Sequence, residues 1–253
     1  MSSFPDCSLP EPDPTWVAGA DAFRDGWMVV LRHTGTGATR RRTVPDAAAL
    51  WALPEVPALL GLDMIVGLPD RAVPGGRACD RQARRLLGRA RGASVFSPPA
   101  FTALQADTYD EALRRNRASG PDAPGLSKQT YYLFPRLRAV ADLLTPPRQD
   151  RLREVHPELS FYAMNGDVPL SESKHTDAGQ QARIDLLTRH GFPAVGGAVD
   201  AWTEHAVGPD DVLDAHAACW TARRMHRGTA ERCPPLDTDA PRNARGLRME
   251  IWR

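Results

Sequence analysis

Two short apolar runs and a basic one, separated by turn chemistry, open the readable part of the chain. WVAGADA (16–22) and GWMVVLRH (26–33) flank a turn at Phe23-Arg24-Asp25-Gly26, and TRRRTV (39–44) follows the glycine-bearing stretch 34–37. The pattern predicts three strands with tight connections. PDAAALWAL (45–53) begins with Pro45 and Asp46 and is rich in alanine, which predicts a helix. LLGLDMIVGLP (59–69) is apolar almost throughout and stops at Pro69, the signature of a strand buried on both faces.

From 70 to 150 the period changes to that of helices. A basic helix is expected over 76–92 and another over 108–118. A third is expected over 126–144, broken near Pro135, because proline cannot continue a helical ladder. RLREVHPELSFYAMNG (151–166) reads as a short strand and then a helix from Pro157. Helices follow over Thr176–His190, with Gly191 as the terminal cap, and over 209–227. GLRMEIWR (246–253) alternates like a last strand. The expectation is one α/β domain over 15–253, a sheet flanked by helices with a helical insertion at about 70–150. Residues 1–14, with four prolines, are expected to be a disordered tail.

Composition narrows this picture. The 253 residues are 42% hydrophobic and 25% charged, as in a soluble globular protein. The formal net charge of +1 excludes a strong polyanion binder as a whole, so any nucleic-acid surface must be a local patch. No apolar run reaches the ~18–20 residues of a membrane span. Cys7, Cys79, Cys219 and Cys233 lie far apart without metal-binding spacing, so reduced thiols in a cytoplasmic protein are expected.

The candidate chemistry is carboxylate chemistry. Asp21 interrupts the first apolar run, and alone it reads equally well as a turn former. Asp214 stands beyond the first turn of its helix beside Ala215, Ala217 and Ala218, where an acid has little structural reason to be. Asp211, three residues earlier, shares its face, although a first-turn acid also suits the helix dipole. Asp63 sits inside an apolar strand and needs a partner; the metal centre is expected before a structural ion pair, which places Asp63 among the catalytic acids with Asp21, Glu154 and Asp214. Glu154 ends the short strand 151–155, with His156 and Glu158 just after it as auxiliary candidates. Carboxylates from separate segments suit Mg²⁺ or Mn²⁺, hard cations that take oxygen ligands. Arg77, Arg81 and Arg85, spaced four apart, predict one cationic helix face for phosphates, with Lys128 and Lys174 as further contacts. A solvated charged face is the plainer reading of that row.

Taken together, GADAFRDGWMVV, LDMIVGLP, RACDRQARRLLG, SVFSPP, GLSKQTYYLFPRL, EVHPELSFYAMNG, SESKHTDAGQQAR and DDVLDAHAACWTA resemble an uncharacterised bacterial domain family described as predicted nucleases of the RNase H-like fold. The first strand with its acid, the VGLP segment, the strand-end Glu154 and the helix bearing Asp214-Ala215 are more distantly similar to Holliday-junction resolvase domains. The resemblance implies an RNase H-like mixed five-stranded sheet. It also implies an acidic triad of Asp21, Glu154 and Asp214, with Asp63 and Asp211 nearby. It departs at Asp21-Ala22-Phe23, where resolvases often carry an Asp-x-Gly turn. A metal-dependent nuclease acting on DNA or RNA, with a homodimer as one possible assembly, is the leading expectation. A non-catalytic nucleic-acid or protein-binding module is the alternative. A nucleotide-binding phosphotransferase is a third, weakened by the lack of a glycine-rich phosphate loop.

Overall fold

The computed structural model describes residues 13–253, so residues 1–12 of the expected tail lie outside the described residues. Strands β1 (Trp16–Phe23), β2 (Gly26–His33) and β3 (Thr39–Val44) form an antiparallel meander. Helix α1 (Ala47–Trp51) follows; its cap, Asp46, accepts a hydrogen bond from the Ala49 N–H. Strand β4 (Leu59–Leu62) then runs parallel to β1, and β5 (Leu152–Glu154) parallel to β4. The sheet order is β3-β2-β1-β4-β5. This mixed five-stranded sheet flanked by helices is consistent with an RNase H-like fold.

Between β4 and β5 come α2 (Ala78–Arg91), α3 (Tyr109–Ala118), α4 (Lys128–Tyr132), α5 (Phe134–Leu143) and α6 (Pro146–Gln149). The break expected near Pro135 falls between α4 and α5, and Pro135 sits in the first turn of α5, where its missing N–H costs nothing. After β5 come α7 (Pro157–Met164), α8 (Asp177–Arg189), α9 (Val195–Thr203) and α10 (Pro209–His226). A small ladder of β6 (Arg232–Cys233) and β7 (Ile251–Trp252) closes the chain.

Three expectations are corrected. The apolar run 59–69 is a strand only as far as Leu62. Beyond it Met64, Val66 and Leu68 remain buried, but the backbone turns to other partners. Val66 N–H donates to Glu154, while the carbonyls of Gly67 and Leu68 accept from Arg77 and Asn243. Burial made the run apolar without making it a strand. The terminal strand shrinks to two residues, pairs with β6, and meets the main sheet through a parallel bridge between Trp252 and Val155. Helix α9 was unforeseen, because Gly196 and Gly197 mask its pattern.

The sheet has an apolar layer on each face. Ala18, Ala20, Val29 and Leu31 pack with α1 and α5, while Val17, Met28 and Val30 pack with α10. On the α10 side two glycines lie opposite each other in register, Gly19 on β1 and Gly61 on β4. A Cβ on Gly19 would sit 2.0 Å from the Cys219 nitrogen and 2.4 Å from the Ala215 oxygen; one on Gly61 would sit 2.7 Å from the Ala218 oxygen. Helix α10, lined by Ala215, Ala218 and Ala222, therefore rests backbone to backbone on the middle of the sheet.

Candidate metal centre

Each glycine stands two residues before an acid, Gly19-Ala20-Asp21 and Gly61-Leu62-Asp63. Strand side chains alternate, so each acid shares the α10 face with its glycine. Because β1 and β4 are parallel and in register up to the Ala20–Leu62 pair, the two acids emerge side by side. The Asp63 N–H donates to the Ala20 carbonyl (2.9 Å), which fixes the end of β4 against β1. Helix α10 brings the third acid, Asp214, one turn before Ala218. One carboxylate oxygen from each of Asp21, Asp63 and Asp214 lies within 4.8 Å of the others.

Three carboxylates so close cannot all carry charge at ordinary cost. The pKa of Asp21 is raised well above the ordinary carboxylate range, by burial first and then by Asp63 and Asp214. Asp63 is raised likewise, by burial and by Asp214. Asp214 is raised by burial, against the pull of Lys174. Lys174 donates to Asp214 Oδ2 (2.8 Å) and lies 3.3 Å from Asp210 Oδ2. Burial works against its charge, but these acids outweigh it and hold the ammonium protonated. Among the described residues Asp214 Oδ1 is buried with no hydrogen-bond partner. Three hard oxygen donors from three elements, one of them orphaned, fit a divalent cation such as Mg²⁺ or Mn²⁺.

The acids line a cleft of about 650 Å³ that also holds Glu154, His156, Glu158, Arg91, Arg136 and Phe96. Asp80, Glu154 and Glu158, also in its lining, are already matched. Glu154 receives Arg77 on both oxygens and Val66 N–H on one. Arg77 in turn grips Asp80 (2.7 Å), and both partners are almost wholly buried. Glu158 pairs with the fully buried Arg183 (2.5 Å), whose guanidinium also stacks on Phe161. His156 Nε2 faces the Ser94 carbonyl (3.3 Å) and Nδ1 has no partner; burial lowers its pKa, so it is neutral.

The expected triad is thus rearranged. Asp63, expected among the catalytic acids but outside the triad that the resemblance implies, stands beside Asp21 and Asp214, and Glu154 belongs to an ion pair. Asp211 accepts the Gly208 N–H as a helix cap (3.1 Å), and its neighbour Asp210 lines the cleft instead. The expected row of arginines is corrected too: Arg77 is the buried cap of α2, not part of an exposed face, and only Arg81 and Arg85 are exposed. Lys128 is exposed at the start of α4, outside the cleft lining, whereas Lys174 faces the acids. Arg91, Arg136 and Phe96 were not foreseen in the cleft. Nothing local marks them, since folding brings them there from α2, the 92–105 connection and α5.

Residues 19–239 match the family described as Protein of unknown function (DUF429), and the chain belongs to that family. The match spans all three acids. No curated protein and no solved structure matches the chain. Among the described residues no helix is long and apolar enough to cross a membrane.

Proposed function

We propose that this protein is a metal-dependent nuclease in which Asp21, Asp63 and Asp214 hold Mg²⁺ or Mn²⁺. One observation carries the reading: three acids from β1, the end of β4 and α10 converge within 4.8 Å, with a single lysine to oppose them. Bound there, the cation would activate water and stabilise charge on a phosphodiester during hydrolysis.

The surrounding residues divide the remaining work. Arg77 locks Glu154, so that wall of the cleft keeps its shape when the floor changes charge. Lys174 supplies a cation that can pass from Asp214 to a non-bridging phosphate oxygen once the acids are neutralised otherwise. The unpartnered Nδ1 of neutral His156 can accept a proton or hydrogen bond from water. Arg91 and Arg136 place positive charge at the walls, and Phe96 offers a partly exposed ring on which a base can stack.

The test is cleavage of a labelled panel (single strand, duplex, RNA–DNA hybrid, four-way junction) with Mg²⁺ or Mn²⁺. Wild type should cut at least one substrate, and Asp21→Asn, Asp63→Asn and Asp214→Asn should each lose about a hundredfold or more in rate. Cutting that survives in all three variants, or in EDTA, sinks the reading. So does nucleic-acid binding that needs neither metal nor acids, which would point to a non-catalytic module.

A further inference from the structure

Four arginines converge on the α10 side of the sheet, well away from the cleft. Arg32 ends β2 on the same face as Met28 and Val30, and Arg41 on β3 pairs opposite Val30, so both point toward α10. Arg223 lies in the last turn of α10 and Arg227 is its cap. From Asp214 to Arg223 is nine residues, roughly 13 Å along the helix at ~1.5 Å per residue.

Contacts fix these side chains without neutralising them. The end nitrogens Arg32 Nη2 and Arg223 Nη1 both lie within 3.3 Å of where a Cβ on Gly191 would stand, so the two guanidiniums crowd one spot. Gly191 itself has φ +101°, which admits no side chain without strain. Arg32 stacks over Phe192 (4.8 Å) and donates to Thr39 Oγ1 (3.2 Å). Arg223 donates to the His190 carbonyl (3.0 Å), and Arg41 Nε to His216 Nε2 (2.9 Å). Every partner is neutral. Among the described residues no carboxylate forms a salt bridge with any of the four, although other arginines of the chain are paired repeatedly.

The helix dipole accounts for cations at the end of α10. It does not account for Arg32, brought from the sheet to the same place, or for Arg41, held on the same face beside His216 two turns earlier on α10. Burial, and then the neighbouring arginines Arg32 and Arg227, lower the pKa of Arg223, so the crowding is unfavourable as it stands. Each planar guanidinium has N–H donors left over, in the fork geometry that matches phosphate oxygens.

We propose that Arg32, Arg41, Arg223 and Arg227 form a phosphate-binding site on the α10 face of the sheet, remote from the acidic cleft. The ligand is a phosphate group, either on a nucleic-acid backbone or on a free oligophosphate. The site does not depend on the metal-centre reading, since it shares none of its residues.

The test uses the full chain in EDTA at low salt, titrated with inorganic pyrophosphate and, separately, with a short labelled DNA single strand. Pyrophosphate should raise the unfolding temperature beyond chloride at matched ionic strength. Arg32→Gln/Arg223→Gln should abolish that rise, and the exposed-site variant Arg227→Gln should weaken binding by on the order of tenfold. Arg114→Gln, which removes an exposed cation of α3 that belongs to neither site, should respond like wild type. Binding of the strand, lost in the same arginine variants, assigns the site to a nucleic-acid backbone; a response to pyrophosphate alone assigns it to a free oligophosphate. If pyrophosphate does no better than chloride, or the arginine variants respond like wild type, the site is not there.

Discussion

Two sets of buried carboxylates line the same cleft and are treated in opposite ways. Asp80 and Glu154 share Arg77, and Glu158 has Arg183; each acid meets a guanidinium that is itself buried and hydrogen-bonded. Of Asp21, Asp63 and Asp214, among the described residues only Asp214 forms an ion pair, with Lys174, and its Oδ1 has no partner. Burial alone therefore does not single out a functional acid in this protein. What separates the two sets is compensation: matched acids hold the walls, and unmatched ones leave room for a ligand's charge.

The largest effect should come from breaking the matched set. Arg77→Met strands Asp80 and Glu154 and removes the donor to the Gly67 carbonyl, so urea unfolding should show a loss of about 3–5 kcal/mol. A loss under about 1 kcal/mol would erase the distinction between the two sets. The next effect belongs to the unmatched set. Mn²⁺ at about a hundred times its dissociation constant should stabilise wild type by ~2.7 kcal/mol, read as a rise of roughly 5–10 °C in unfolding temperature. Asp63→Asn should lose most of that rise. In EDTA the same variant should equal or exceed wild type by about 1 kcal/mol, because it relieves repulsion.

The smallest effect is a pH dependence. Asp211 sits at the edge of the acidic floor with its pKa raised to about 6, by burial and then by Asp210. Its folded value lies above its unfolded one, so the stability it contributes is full below about pH 4. That contribution is lost as pH rises through about 6. With its partial exposure screening the charge, the loss is ~1 kcal/mol or less. Asp211→Asn should flatten the stability profile between about pH 4 and 6; an unchanged slope would show that Asp211 is a plain helix cap that does not feel the neighbouring acids.

The same contrast explains how much could be read from the chain. Asp21 and Asp214 stood out because a charge within an apolar row is visible locally, and the strand meander followed from alternation and turns. Glu154 was misplaced because its partner, Arg77, lies far away in sequence, and pairing over that distance leaves no local mark. Arg77 was misread for the same reason: four-residue spacing places it on a helix face only if the helix has already begun, and the helix begins at Ala78. The run 63–69 looked like strand because its side chains are buried, while its backbone is satisfied by Glu154, Arg77 and Asn243.

Gly19 and Gly61 carry a further consequence. With no side chain at these two positions, main-chain contact sets how closely α10, and with it the backbone of Asp214, approaches β1 and β4. The two glycines act as a fixed caliper. A methyl group at either would wedge α10 outward and carry Asp214 away from its partners while leaving all three acids in place. The distance between the acids is thus held by residues that stand outside the acidic cluster.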